Sequence, residues 1–273
     1  MKHRLVMVLL MLLACSCQGS ENNKAKPTPP PPDRSDTPQE AIGKGAPAVE
    51  RPWLPPDYVA FDTYLSKLSK DAYPRIGSAK SKTLFAKLVD SAEQPILLRK
   101  DVPLNDRMGF ALQLMGAGSD ALKTYIAAHN AGTGYSTELV YLQGSLLTIA
   151  RQALLLFDEF IPTLDPEDAT YQTRMQGLRQ VKDGMATIVN GAMLSMRETT
   201  VYSGAERLIL AKYLASEAPA ILAHLDKDVR RKIEVKLKEL QAEETDKAVR
   251  GTLSVLLGKL EHQTPDNSVP TAK

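Results

Sequence analysis

The chain has 273 residues and a formal net charge of +2, from 34 Lys and Arg against 32 Asp and Glu. That near-balance excludes a strongly basic nucleic-acid binder. Two cysteines, both near the N-terminus, exclude a disulfide framework or a Cys-rich zinc module. A 43% hydrophobic fraction allows a sizeable core, while an aromatic content of 5% argues against a β-sandwich or barrel.

Lys2, His3 and Arg4 precede an uninterrupted apolar stretch from Leu5 to Ala14. Its ten residues are too few to cross a bilayer as a helix and suit the apolar region of a signal peptide. The stretch ends in Leu12-Leu13-Ala14-Cys15, which resembles the lipobox of bacterial lipoproteins. The resemblance implies that residues 1–14 are removed and that Cys15 becomes an acylated N-terminus in the lipid bilayer. Losing Lys2 and Arg4 would bring the charges to 32 against 32. Multiple acyl chains anchor stably, so no transmembrane helix is required. Ser16 stands where Asp tends to hold such proteins in the inner membrane, so the resemblance implies the outer membrane of a double-membraned cell. Two alternatives stay open: an ordinary secretory signal, and acylation at Cys17, which follows a poorer box. With lipid on Cys15, Cys17 is a spare thiol or pairs between molecules.

Residues 15–56 read as a lipidated N-terminus and disordered linker. Ten of the 18 prolines lie between Pro27 and Pro56, and Pro29 to Pro32 predict stiff polyproline II. Acids and bases number five each in residues 16–56, so no polybasic lipid-binding patch exists there. About 35 flexible residues would span roughly 30–35 Å. The reading is a spacer, with a Pro-rich ligand for another domain as its alternative. Trp53, the only tryptophan, is expected to fasten the end of the linker to the body.

Residues 57–262 form the expected body, with a boundary inside it near residue 200, and 263–273 are read as a disordered tail. Apolar residues recur every three or four positions, which predicts an all-α multi-helix bundle. Asp57 is expected to cap the first helix, and Ser81 the second. Asn105 and Ser119 are expected to cap two short helices separated by a break at Gly116-Ala117-Gly118. Ser136 or Thr137 opens a long helix that stops at Pro162. Its segment 144–161 is apolar but interrupted by Arg151, Gln152, Asp158 and Glu159, which favours a core helix over a membrane span. Asp165-Pro166-Glu167 is expected to start the next helix. Tyr171, Met175, Leu178, Val181, Met185, Ile188, Ala192 and Met196 make its stripe.

The segment from Asp226 to Leu240 aligns with that from Asp246 to Leu260 at an offset of 20 residues. Asp-x-x-Val-Arg followed by a Leu-rich helix resembles part of a HEAT-type repeat. The resemblance implies that the bundle continues into a short HEAT-like stack. An ordinary antiparallel hairpin is the alternative. In either case Asp226 and Asp246 are expected to cap, and to pair with Arg230 and Arg250 four residues on.

No catalytic motif stands out. His129, His224 and His262 lack metal-binding spacing, and no cofactor is implied. Asp158, Glu159, Asp165, Glu167 and Asp168 put five acids in eleven residues, a conceivable cation site or simply solvated helix ends. Gly177, Gly184 and Gly191 recur every seven residues within one helix, each at a cost of about 1 kcal/mol relative to Ala. With Thr187 they make a small-residue face away from the apolar stripe, suited to internal packing or to a partner. Met175, Met185, Met193 and Met196 are core or an adaptable groove. The favoured function is non-enzymatic: a helical binding or scaffolding module of the cell envelope with a protein partner and no nucleic acid. A carrier of an apolar or peptide ligand between helices, and an enzyme with a dispersed site, are the alternatives.

Overall fold

The computed structural model describes residues 46–47 and 53–262, apart from 80, 91 and 93. Cys15, Cys17, most of the linker and residues 263–273 lie outside the described residues. Among the described residues eight α-helices follow one another: α1 (Pro55–Leu65), α2 (Lys82–Asp90), α3 (Leu104–Ala128), α4 (Ser136–Phe160), α5 (Tyr171–Arg197), α6 (Gly204–Ala223), α7 (Lys227–Glu243) and α8 (Lys247–His262). No strand occurs among the described residues, so the chain is an all-α multi-helix bundle.

Helix α4 is apolar nearly all round, and such a helix must be covered on every side. It is packed by α2, α3, α5 and α6. Seventeen of its 25 residues are buried, which makes it the core helix of the bundle. Helix α1 lies on α3, α8 on α6, and α7 bridges α5 and α8. One continuous apolar core runs from Trp53 to Leu260 across residue 200.

Two glycines permit close approaches between α4 and its neighbours. A Cβ on Gly144 would sit 2.2 Å from the Tyr213 ring of α6. One on Gly118 would meet Leu146 Cδ2 of α4 at 3.0 Å. The break expected at residues 116–118 is therefore absent. Residues 104–128 make one helix, whose cap is Pro103 rather than Asn105. The Ser119 hydroxyl donates to the Met115 carbonyl within that helix, at 2.8 Å. Packing against α4 outweighs the weak helix propensity of glycine. The actual break comes at His129–Thr133, a π-type turn in which Gly132 has φ 94°, followed by Gly134 at φ 67°.

Several expected caps serve other partners. Asp57 lies inside α1, where its carboxylate accepts the Leu54 N–H at 2.7 Å. The Ser81 hydroxyl accepts the Arg75 N–H at 3.0 Å. Ser136 and Thr137 donate to Glu206 at 2.6 and 2.7 Å. Helix α5 begins at Tyr171, later than the Asp165-Pro166-Glu167 signal.

Trp53 is fully buried, in ring contact with Tyr58 and Phe61 at centroid distances of 5.4 and 5.2 Å. Gln94 Nε2 donates to the Trp53 carbonyl at 2.9 Å, and the Gln94 N–H donates to Gln152 Oε1 of α4 at 3.1 Å. The residue two before α1 is thus bonded, through one buried glutamine, to the core helix. Ala46 is buried as well.

The two similar C-terminal segments fall on the successive helices α7 and α8. Asp246 caps α8, accepting the Ala248 and Val249 N–H groups at 2.8 and 3.2 Å. Asp226 precedes α7 without a side-chain cap bond. The expected Asp–Arg pairs are replaced. Arg230 bonds Glu234 and the Leu260 carbonyl, and Arg250 donates to the Glu244 carbonyl. Each arginine thereby ties helix ends together. Buried Arg207 of α6 meets Glu244 through two hydrogen bonds, at 3.1 and 3.2 Å. Burial pushes the Glu244 carboxyl upward, but Arg207 and the Asp246 N–H outweigh it and hold it low. Pro219 inside α6 cannot donate to the Ala215 carbonyl, and Lys259 of α8 donates to it instead, at 2.9 Å.

Gly144→Ala should therefore lose about 1–3 kcal/mol from overpacking. Gly116→Ala, whose Cβ would meet nothing within 4 Å, should be neutral or stabilise by up to about 1 kcal/mol. Urea unfolding of the two variants beside the parent chain checks both.

Candidate functional site

Helix α1 puts Tyr58, Phe61 and Leu65 on one face and buries them. Helix α3 meets it with small side chains, Gly116, Ala117 and Ala121. Large residues on one wall and small ones on the other leave an open groove of about 680 Å³. Pro55, Pro56 and Val59 continue its apolar lining, and Val59 is 66% exposed. Its polar residues are Gln113, Asp62 and Asp120, with no Lys, Arg or His among the lining residues. Lys123, beside the groove, bonds Asp120 at 2.8 Å in an exposed pair. Such a pair is worth less than about 1 kcal/mol. The groove is thus apolar with an acidic rim, and it opens where the linker enters the body.

The residues singled out in the sequence fare differently. Gly177 and Gly184 have nothing within 4 Å of a would-be Cβ, so no internal neighbour requires them. Gly191 is buried. Thr187 is half-buried and its hydroxyl donates to the Asp183 carbonyl at 2.7 Å. The glycine face therefore divides, its end open and its continuation internal. Met185, Met193 and Met196 are buried in the core.

The five acids are not gathered into one site. Asp158 bonds His224 at 2.7 Å. Glu159 bonds Lys100 and Arg107. Asp165 accepts the Glu167 N–H at 3.0 Å, and Asp168 accepts the N–H and hydroxyl of Thr170 at 2.7 and 2.8 Å. Among the described residues no group of three or more His, Cys, Asp or Glu could hold a metal ion. Asp158, Glu159, Asp165 and Asp168 are thus taken up by basic side chains and turn groups, the ordinary solution at helix ends. His129 accepts the Tyr135 N–H through Nδ1 at 3.0 Å, and burial lowers its pKa.

Gly116 of the groove belongs to a second pair of spaced glycines, on α3. Gly109 and Gly116 are seven apart, the same spacing as Gly177 and Gly184. A Cβ on either of them would meet nothing within 4 Å. A second surface depression lies along α7, lined by Asp228, Arg231, Lys232, Val235, Lys236 and Glu239. Its charges are mixed and Val235 is the one apolar residue among them.

No family profile, curated protein or solved structure matches the chain.

Glu159 gives a test of the acid cluster. Arg107, and then Lys100, hold its carboxyl down from 4.5 to about 2. A lowered folded-state pKa contributes stability above the unfolded value and loses it as pH falls through the folded one. The contribution is present above about pH 4.5 and fades toward about pH 2. Glu159→Gln should lower the urea midpoint near neutrality. It should also flatten the fall in midpoint that the parent chain shows between about pH 5 and pH 2.

Proposed function

We propose that the chain is a membrane-anchored lipoprotein of the bacterial envelope whose helical body is a non-enzymatic binding or scaffolding module. The lipobox-like Leu12-Leu13-Ala14-Cys15 supports the anchor, and the Pro-rich segment after it supports a spacer between membrane and body. The observation that carries the binding reading is the open apolar groove between α1 and α3. Val59 on its rim is 66% exposed, apolar surface that a partner could cover. Ser16 after Cys15 favours the outer membrane of a double-membraned cell.

Two measurements test this. Labelling with a palmitate analogue should mark the parent chain and Cys17→Ser, and Cys15→Ser should lose both the label and membrane association. Label on Cys15→Ser but not on Cys17→Ser would move the anchor to Cys17, and no label on any chain would remove it. In-cell crosslinking followed by mass spectrometry should recover one envelope protein reproducibly. Recovery of none above background would overturn the binding reading.

A further inference from the structure

We propose that His129 is a pH-sensitive latch on the turn between α3 and α4. With a neutral ring it locks the turn, and with the turn the docking of residues 70–76. Protonation of the ring releases both. None of these residues lines the groove, and the latch does not depend on the binding-module reading above.

The protonation state follows from the hydrogen bond itself. The Tyr135 N–H can only donate, and it points at Nδ1 of His129 from 3.0 Å. Nδ1 therefore carries a lone pair, and the ring is the neutral tautomer with its proton on Nε2. A proton added at Nδ1 would set two donors against each other and break the bond. Tyr135 is buried, so an N–H that loses its acceptor there favours opening over staying in place. His224 is built the other way. Its two ring nitrogens face acceptors, the Ala220 carbonyl and Asp158, each at 2.7 Å. Protonation leaves both of those contacts in place.

The bond closes a turn that another segment grips. Gly132 and Gly134, at φ 94° and 67°, turn the chain between His129 and Tyr135. Arg75 donates to the Thr133 and Gly134 carbonyls and lies 3.8 Å over the Tyr135 ring. The Tyr135 hydroxyl donates to the Lys70 carbonyl at 2.7 Å. Both carbonyls held by Arg75, and the ring it covers, thus belong to the loop that His129 closes. Two further bonds reach residues 70–76 from the helices. Tyr125 of α3 donates to the Pro74 carbonyl at 2.9 Å, and Glu138 of α4 accepts the Ile76 N–H at 3.0 Å. They do not involve the turn, so the opening stays local.

The charged groups around the turn come from three elements. Glu206 of α6 favours the protonated ring, but burial opposes it more strongly and keeps the His129 pKa below 6.5. Arg75 and Glu138 of α4 are each bonded already, to the turn carbonyls and to the Ile76 N–H. Burial pushes the Tyr125 and Tyr135 phenols up, so both stay neutral. A ring whose pKa is lower in the closed turn than in the open one stabilises the closed turn fully above about pH 6.5. That stability is lost as the pH falls from there toward the closed-state value. A single proton, with an open-state pKa of 6.5, limits the change to about tenfold between about pH 7.5 and pH 5.5.

The test uses the full chain with Cys15→Ser. Nitrogen-15 NMR at about pH 7.5 should show His129 Nδ1 without a proton. Amide hydrogen exchange is then followed at about pH 7.5 and pH 5.5 and corrected for the intrinsic effect of pH on exchange. Relative to buried Leu147 of α4, the Tyr135 amide should exchange about threefold to tenfold faster at the lower pH. The Arg75 and Ile76 amides should follow it. His129→Gln keeps an acceptor that does not titrate, so its Tyr135 amide should show no such change. His129→Asn serves in its place should His129→Gln not fold. His224→Gln should keep the response of the parent chain. A protonated Nδ1 at pH 7.5, or a Tyr135 amide indifferent to pH, would overturn the latch. So would an undiminished response in His129→Gln or its loss in His224→Gln. A response at Tyr135 that Arg75 and Ile76 do not share would overturn the coupling to residues 70–76.

Discussion

Everything in this fold follows from the need to cover α4. A helix with apolar side chains on most of its surface leaves little that water can wet, so other helices must pack around it. Each neighbour must also come close enough to exclude water. Gly118 lets α3 approach α4, and Gly144 lets α6 approach it from another side. These two missing side chains set the spacing of the layers. Once α3 is fixed against α4, its outer face receives α1. Once α6 is fixed, its outer face receives α8.

The polar groups buried by this arrangement are joined into links between segments. Gln152 projects from α4 and bonds the Gln94 N–H and the Ala92 carbonyl, and Gln94 reaches the Trp53 carbonyl. A buried amide left unpaired would cost about 1–3 kcal/mol. These bonds therefore specify where the linker meets the body. Arg207 with Glu244, and Lys259 at the carbonyl freed by Pro219, do the same for the C-terminal hairpin.

The same residue type takes opposite roles about half a helical turn apart. Gly118 faces α4 and is filled by Leu146, while Gly116 opens onto the groove. Read along the chain, the pair looks like a helix break, because glycine disfavours helix by about 1 kcal/mol each. Only the neighbours decide whether such a glycine ends a helix, admits a packed side chain, or leaves room for something from outside. On α5 the decision is split within one row, with Gly184 open and Gly191 buried.

Periodicity in the sequence was enough to determine an all-α body, the stripe of α5 and the buried character of α4. Those features depend on local spacing and on the cost of leaving large apolar groups in water. It also carried the lipobox resemblance, which involves no folded structure at all. Cap positions were less legible: Ser136, Thr137 and Arg230 had plausible local partners, but Glu206 and the Leu260 carbonyl, distant in sequence, took them. The acids at residues 158–168 looked like a cluster because they are adjacent in the chain, yet Lys100, Arg107 and His224 draw two of them apart. The groove was not legible, since its two walls lie about fifty residues apart and neither is unusual alone. Tertiary structure decided it, because a cavity is a property of the distance between helices, and that distance is set by the small residues that face each other across it.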